Sequence, residues 1–146
     1  MDQKIKDFVA LKRIAVVGVS RNEQKMGNAI YTELKENGYE VYGVNPQLSE
    51  IKGDKCYASI SDLAGKVDGV LIAVSPKASA QVIRDAVAAG ITKIWLNQGS
   101  QSVEASKVSR ELGVSPIEGK CIFMYAGGVK SVHGFHRFIA KLIGQY

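Results

Sequence analysis

The chain has 146 residues, and 19 basic against 14 acidic side chains leave it at +5. With 46% hydrophobic and 23% charged residues it reads as one globular domain spanning 1–146, not a disordered polyelectrolyte, and no apolar run reaches the roughly 20 residues of a bilayer crossing. Two cysteines, Cys56 and Cys121, are too few for a disulfide framework, and the N-terminus carries no signal-peptide core, so the expected setting is the cytoplasm with reduced thiols.

Taken in order, Ile5, Phe8 and Val9 predict a short leading helix. Residues 13–19 form a nearly continuous apolar run, the pattern of a strand buried on both faces. Met26, Ile30 and Leu34 mark one face of a helix that Asn37-Gly38 ends, because glycine tolerates the left-handed position after a helix. Residues 40–44 are a second strand closed by Asn45-Pro46, and a loop carrying Cys56 follows. A helical turn at 61–63 precedes a third strand at 69–74. Ser75-Pro76 then opens a helix with Val82, Ile83, Ala86 and Val87 inward and Gly90 as its stop. A fourth strand is expected at 93–96, and a helix marked by Ala105, Val108 and Leu112 ends at Gly113. The last strand falls at 114–117 or 121–124, and Phe135, Phe138, Ile139, Leu142 and Ile143 predict a closing helix.

Strands alternating with helices imply βαβ crossovers, a mainly parallel sheet and helices on both faces, a doubly wound Rossmann-like α/β fold. Ligands of such folds sit outside the carboxyl ends of the strands. Here those ends read Gly18-Val19-Ser20-Arg21-Asn22, Val44-Asn45-Pro46, Val74-Ser75-Pro76-Lys77 and Leu96-Asn97-Gln98-Gly99, with no Asp or Glu among them. The first turn is the phosphate candidate. A glycine lets backbone N–H groups approach an anion, Ser20 offers a hydroxyl, and Arg21 or Lys25 supplies counter-charge. Gly18 and Gly27 also fit plain strand–helix packing, and Ser75-Pro76 a plain helix start. The dinucleotide fingerprint fails, since Ser20 and Glu23 stand where its later glycines belong and Asn45-Pro46 replaces the acid that binds ribose hydroxyls. An NAD(P)-linked enzyme is therefore the weaker alternative.

The set Gly18-x-Ser20, Lys25-x-Gly27, Gly38-Tyr39-x-Val41-Tyr42-x-Val44-Asn45-Pro46, Val74-Ser75-Pro76 and Trp95-Leu96-Asn97-Gln98-Gly99 resembles the small stand-alone CoA-binding proteins. It is also similar to the N-terminal CoA-binding domain of the succinyl-CoA synthetase α subunit. The resemblance covers essentially the whole chain. It implies coenzyme A as ligand, with the diphosphate near Gly18, Ser20 and Lys25 and the pantetheine arm near Val74, Ser75 and Pro76. The synthetase domains carry a lysine shortly after the proline, where this chain has Gln47 and Leu48, which leaves the holder of the 3′-phosphate open. The expected binding set is Gly18, Val19, Ser20, Arg21, Lys25, Gly27, Asn45, Pro46, Val74, Ser75, Pro76, Lys77, Asn97, Gln98 and Gly99.

Catalytic and metal sites are not expected. There is no nucleophile elbow, Walker A lysine or carboxylate pair at the strand ends. His133 and His136 lack a third ligand, and Cys121 beside Lys120 reads first as a small buried hydrophobe. After Glu118 there is no acid, while Lys120, Lys130, Arg137 and Lys141 add four positive charges. That density suits a small anion and is too thin for nucleic acid. The expected role is a CoA or acyl-CoA holder or sensor, working with a partner enzyme or as a homo-oligomer, without membrane attachment.

Overall fold

A computed structural model describes residues 3–125. The chain order is α1 (Gln3–Val9), β1 (Arg13–Val17), α2 (Met26–Glu36), β2 (Glu40–Val44), β3 (Glu50–Ile51), β4 (Asp54–Tyr57), a 3₁₀ turn (Ile60–Leu63), β5 (Gly69–Ile72), α3 (Pro76–Ala88), β6 (Ile94–Asn97), α4 (Val103–Leu112), β7 (Ile117–Lys120) and a 3₁₀ turn (Ile122–Met124). The seven strands lie in the order β3-β4-β2-β1-β5-β6-β7. All neighbours pair in parallel except β3 with β4, so the fold is the expected Rossmann-like α/β architecture.

Side-chain alternation along the strands builds two cores. Ile14, Val16, Leu71 and Trp95 face α1 and α2, where Phe8, Ile30, Tyr31 and Leu34 meet them. Ala15, Val17, Val70, Ile72, Ile94 and Leu96 face α3 and α4, against Ile83, Ala86, Ala105 and Val108. Trp95 is fully buried, its ring edge-on to Phe8 at 5.4 Å and 5.7 Å from Tyr125. Because β1 is flanked by β2 on one side and β5 on the other, the order of strands reverses between β1 and β5, the place where ligands of such folds sit.

Four expectations are corrected. Cys56 lies in no loop: β3 and β4 form a hairpin in which Cys56 is buried, turned by Lys52 and Gly53, both at positive φ (49° and 85°). That is the backbone of a two-residue primed turn. The last strand is Ile117–Lys120, between the two apolar stretches that predicted it. At the edge of the sheet among the described residues, it needs backbone pairing with β6 more than apolar side chains, and Ile122 and Phe123 reach the core from the following turn. On α4 it is Ser109 that turns inward, its hydroxyl donating to the Ala105 carbonyl at 2.8 Å, while Leu112 is exposed. The strands predicted at 13–19 and 69–74 each end two residues early, at Val17 and Ile72. His133, His136 and the closing helix expected over 135–143 lie outside the described residues.

Candidate functional site

The first turn is shaped by two glycines. Gly18 adopts φ 130°, and a Cβ there would stand 2.1 Å from the Ala73 carbonyl oxygen. A Cβ on Gly27 would stand 2.2 Å from the Gly18 oxygen. The first contact packs the end of β1 against the end of β5, and the second seats the N-terminus of α2 directly on the end of β1. Both glycines are thus packing residues, and their packing brings a helix N-terminus to the crevice.

Asn28, absent from the expected set, holds the turn in shape. It is buried, its Oδ1 accepts from the Ser20 amide at 2.7 Å, and its Nδ2 donates to the Ser20 carbonyl at 2.8 Å. Its partner is main chain, so no side-chain pattern in the sequence marks it. The Ser20 hydroxyl accepts from the Asn22 amide at 3.1 Å, the Asn22 side chain from the Gln24 amide at 3.0 Å, and the Asn22 carbonyl from the Lys25 amide at 3.1 Å. Lys25 is the residue at which α2 begins, and it gives the helix no side-chain cap. The Met26 and Gly27 N–H groups, first in the helix, have no intrahelical acceptor. Arg21 and Lys25 are exposed beside them, as is Glu23, so residues 21–25 carry two positive charges and one negative. An uncapped helix N-terminus with adjacent cations is chemistry suited to an anion.

The second strand end is tied to the first. Asn45 Nδ2 donates to the Val19 carbonyl at 2.9 Å, and its Oδ1 accepts from the Gln47 amide at 2.7 Å. Val19 itself is buried in the core, and Pro46 is exposed. Across the crevice, Val74 is half-buried and Ser75, Pro76 and Lys77 are exposed at the start of α3. Ser75 and Pro76 occupy the first positions of that helix, yet the Ser75 hydroxyl makes no cap bond. Ser79 anchors the helix instead, donating to the Ser100 carbonyl at 2.6 Å.

The fourth strand end behaves differently. Asn97 is buried, and its Oδ1 accepts from the Ile122 amide at 2.9 Å, tying β6 to the segment after β7. Its Nδ2 is enclosed without a hydrogen-bond acceptor of normal geometry, next to the Cys121 thiol. Gln98 and Gly99 are exposed, Gly99 at φ 97°. Burial pushes the Cys121 thiol above its ordinary pKa, against the smaller pull of the Phe123 backbone and Asn97. Burial raises Cys56 likewise. Neither environment favours a thiolate nucleophile. The structure therefore brings Ser20, Arg21, Lys25, Asn45 and Pro46 together around the first two strand ends, faces them with Val74–Lys77, and turns the Asn97 side chain inward.

Residues 12–126 match the family model described as CoA binding domain. The chain belongs to this family. It is 35% identical over 105 residues to an ADP-forming acetate–CoA ligase II of Archaeoglobus fulgidus, covering 70% of this chain but 16% of the ligase. An uncharacterized protein of Bacillus subtilis, YneT, is 29% identical over 111 residues, with 76% of this chain and 82% of that protein covered. Among solved structures, a conserved hypothetical protein from Pyrococcus furiosus superposes with TM-score 0.72 at 41% identity, covering 76% of this chain and 96% of the other. The dinucleotide-forming acetyl-coenzyme A synthetase 1 of Ca. Korarchaeum cryptofilum, in complex with phosphate and ADP, superposes with TM-score 0.62 at 30% identity, over 72% of this chain and 25% of the synthetase. The CoA-binding family thus occurs both as small proteins of this size and as a fraction of larger ligases. Among the described residues no helix is long and apolar enough to cross a membrane, and no three His, Cys, Asp or Glu side chains group as a metal site.

Proposed function

We propose that this chain binds coenzyme A, or an acyl-CoA, in the crevice across the carboxyl ends of β1, β2 and β5, and holds it for chemistry performed by another chain. The observation that carries this reading is the uncapped N-terminus of α2, flanked by Arg21 and Lys25, in a chain whose residues 12–126 match a CoA-binding family. The diphosphate lies at that helix start, within reach of Lys25 and the Met26 and Gly27 amides. The pantetheine arm runs toward Val74–Lys77, where Pro76 presents a wall without an N–H donor. The relatives named as ligases and synthetases are several times longer than this chain, which supports a binding role here, with the reaction left to a partner enzyme or a second copy of this chain.

The NAD(P) reading finds no support at the end of β2. No acid stands there, and both ends of the Asn45 carboxamide are committed to backbone groups. Calorimetric titration with CoA and with NAD decides between them: CoA binds and NAD does not, and equal affinities or no CoA binding would sink the proposal. Trp95 is fully buried in the α1–α2 core, so calorimetry serves better than intrinsic fluorescence. The binding-only role is tested by incubating the protein with several acyl-CoAs and following free thiol. Turnover well above background that disappears in His133→Ala would make His133 a catalytic base and overturn that role.

A further inference from the structure

The 3′-phosphate is what separates CoA from most adenine nucleotides, and the lysine that resemblance would supply after Pro46 is missing. In this fold class the adenosine ribose lies at the end of the second strand, where an acid reads a free hydroxyl and an arginine accommodates a phosphate. The loop after β2 has no backbone donor left for such a phosphate between Asn45 and Leu48. The Asn45 amide donates to the Tyr57 carbonyl at 2.9 Å, Pro46 has no N–H, the Gln47 amide is taken by Asn45 Oδ1 at 2.7 Å, and the Leu48 amide donates to the Asn45 carbonyl at 3.2 Å. A phosphate there must be held by side chains.

One cation reaches across. Arg21 leaves the first turn and places Nη2 3.4 Å from the Gln47 carbonyl, on the second-strand loop. That is a long bond to a neutral acceptor, and among the described residues it is the only polar contact of this guanidinium. The ion pairs there join Arg13 to Asp68, Lys35 to Asp54 and Arg84 to Glu104, and Arg21 is in none of them. Lys55, on neighbouring β4, stands 4.9 Å over the Tyr57 ring. The two loops are locked in register by the Asn45–Val19 bond, so the guanidinium hangs over the end of β2 from a fixed base. Lys25, by contrast, sits at the start of α2.

We propose that Arg21 reads the ribose 3′-phosphate of CoA, leaving the diphosphate to Lys25 and the α2 N-terminus. This rests on the CoA-binding reading above and adds a specificity-determining residue to it. A guanidinium fork matches a phosphate in two parallel hydrogen bonds, and an exposed side chain can swing to it at small cost.

The test is calorimetry of CoA and of 3′-dephospho-CoA against wild type, Arg21→Ala and Arg21→Lys at one salt concentration. Wild type should prefer CoA about tenfold, the scale of a charge-assisted pair. Arg21→Ala should bring the two ligands within about twofold by weakening CoA alone, and Arg21→Lys should keep part of the preference. Arg21 is exposed, so the variants should melt with wild type. An unchanged preference in Arg21→Ala, equal weakening of both ligands, or no preference in wild type would overturn the assignment while CoA binding stands. Failure of wild type to bind either ligand would instead remove the CoA reading and this inference with it.

Discussion

Asn45 and Asn97 close two strands of one sheet with the same side chain, at ends on opposite sides of β5. Asn45 is half-buried and spends its carboxamide on the loops around it, which fixes the distance between the first two strand ends and leaves their cations outside. Asn97 is buried and spends its oxygen on Ile122, so the β6 end serves the attachment of the following segment. The same residue type at equivalent places in the topology therefore organises a ridge with exposed cations on one side and a core joint on the other. Side-chain charge, with Arg21 and Lys25 near β1 and β2, tells the two apart better than the strand-end asparagines and glycines do.

The two regions should part most widely at their glycines. Gly18 and Gly99 both have positive φ, yet a Cβ at Gly18 meets a carbonyl oxygen at 2.1 Å and one at Gly99 meets nothing within 4 Å. Gly18→Ala should cost about 4 kcal/mol or prevent folding, whereas Gly99→Ala should cost about 1 kcal/mol. Urea denaturation measures both, and similar costs would show the close approach at Ala73 to be unimportant. Next comes the asparagine pair. Asn97→Ala strands a buried Ile122 amide and should cost about 2 kcal/mol, against about 1 kcal/mol for Asn45→Ala at a wetter site. The reverse order in the same denaturation experiment would contradict the division between ridge and joint.

Smaller, and confined to the ridge, is Lys25→Ala. It should weaken CoA by about 1–2 kcal/mol by calorimetry, with a steeper salt dependence in wild type than in the variant. Its melting temperature should not fall, because a cation at a helix start opposes the helix dipole. Smallest is an acid effect away from the ridge. The hydrogen bond from Arg13, with its charge, holds the Asp68 carboxyl below its usual range. Its stabilising contribution is thus complete above the ordinary carboxylate pKa of about 4 and fades as pH falls below it. Asp68→Asn should melt below wild type at pH 7 and approach it at about pH 2; a gap that stays constant would discard the ion pair as its cause.

Much of this was legible in the residues because burial on both faces leaves a strong mark. Residues 14–17 and 69–72 are unbroken apolar runs, and the described helices announced their inner stripes except at Leu112 of α4. What escaped was held by backbone pairing. β3 and β4 bury only Ile51 and Cys56, and their turn is Lys52-Gly53, a pairing without the asparagine or aspartate that usually signals a primed turn. β7 reads Ile-Glu-Gly-Lys, polar on all but its first residue. At the candidate site, the exposed cations and the first turn were legible in the spacing, while the work of Asn28 was hidden. Its partner is the main chain of Ser20, eight residues away, and a main-chain partner leaves no trace in the side-chain pattern.

The reciprocal pair between Asn28 and Ser20 has a thermodynamic corollary. A loop whose amides are already engaged has little disorder left to surrender, so a ligand settling on it gives up mainly its own freedom. Uptake should then resemble a key meeting a cut lock: the association rate follows charge and ionic strength, amide exchange at Ser20 and Asn22 is slow before any ligand arrives, and most of the difference between strong and weak ligands shows in how long they stay.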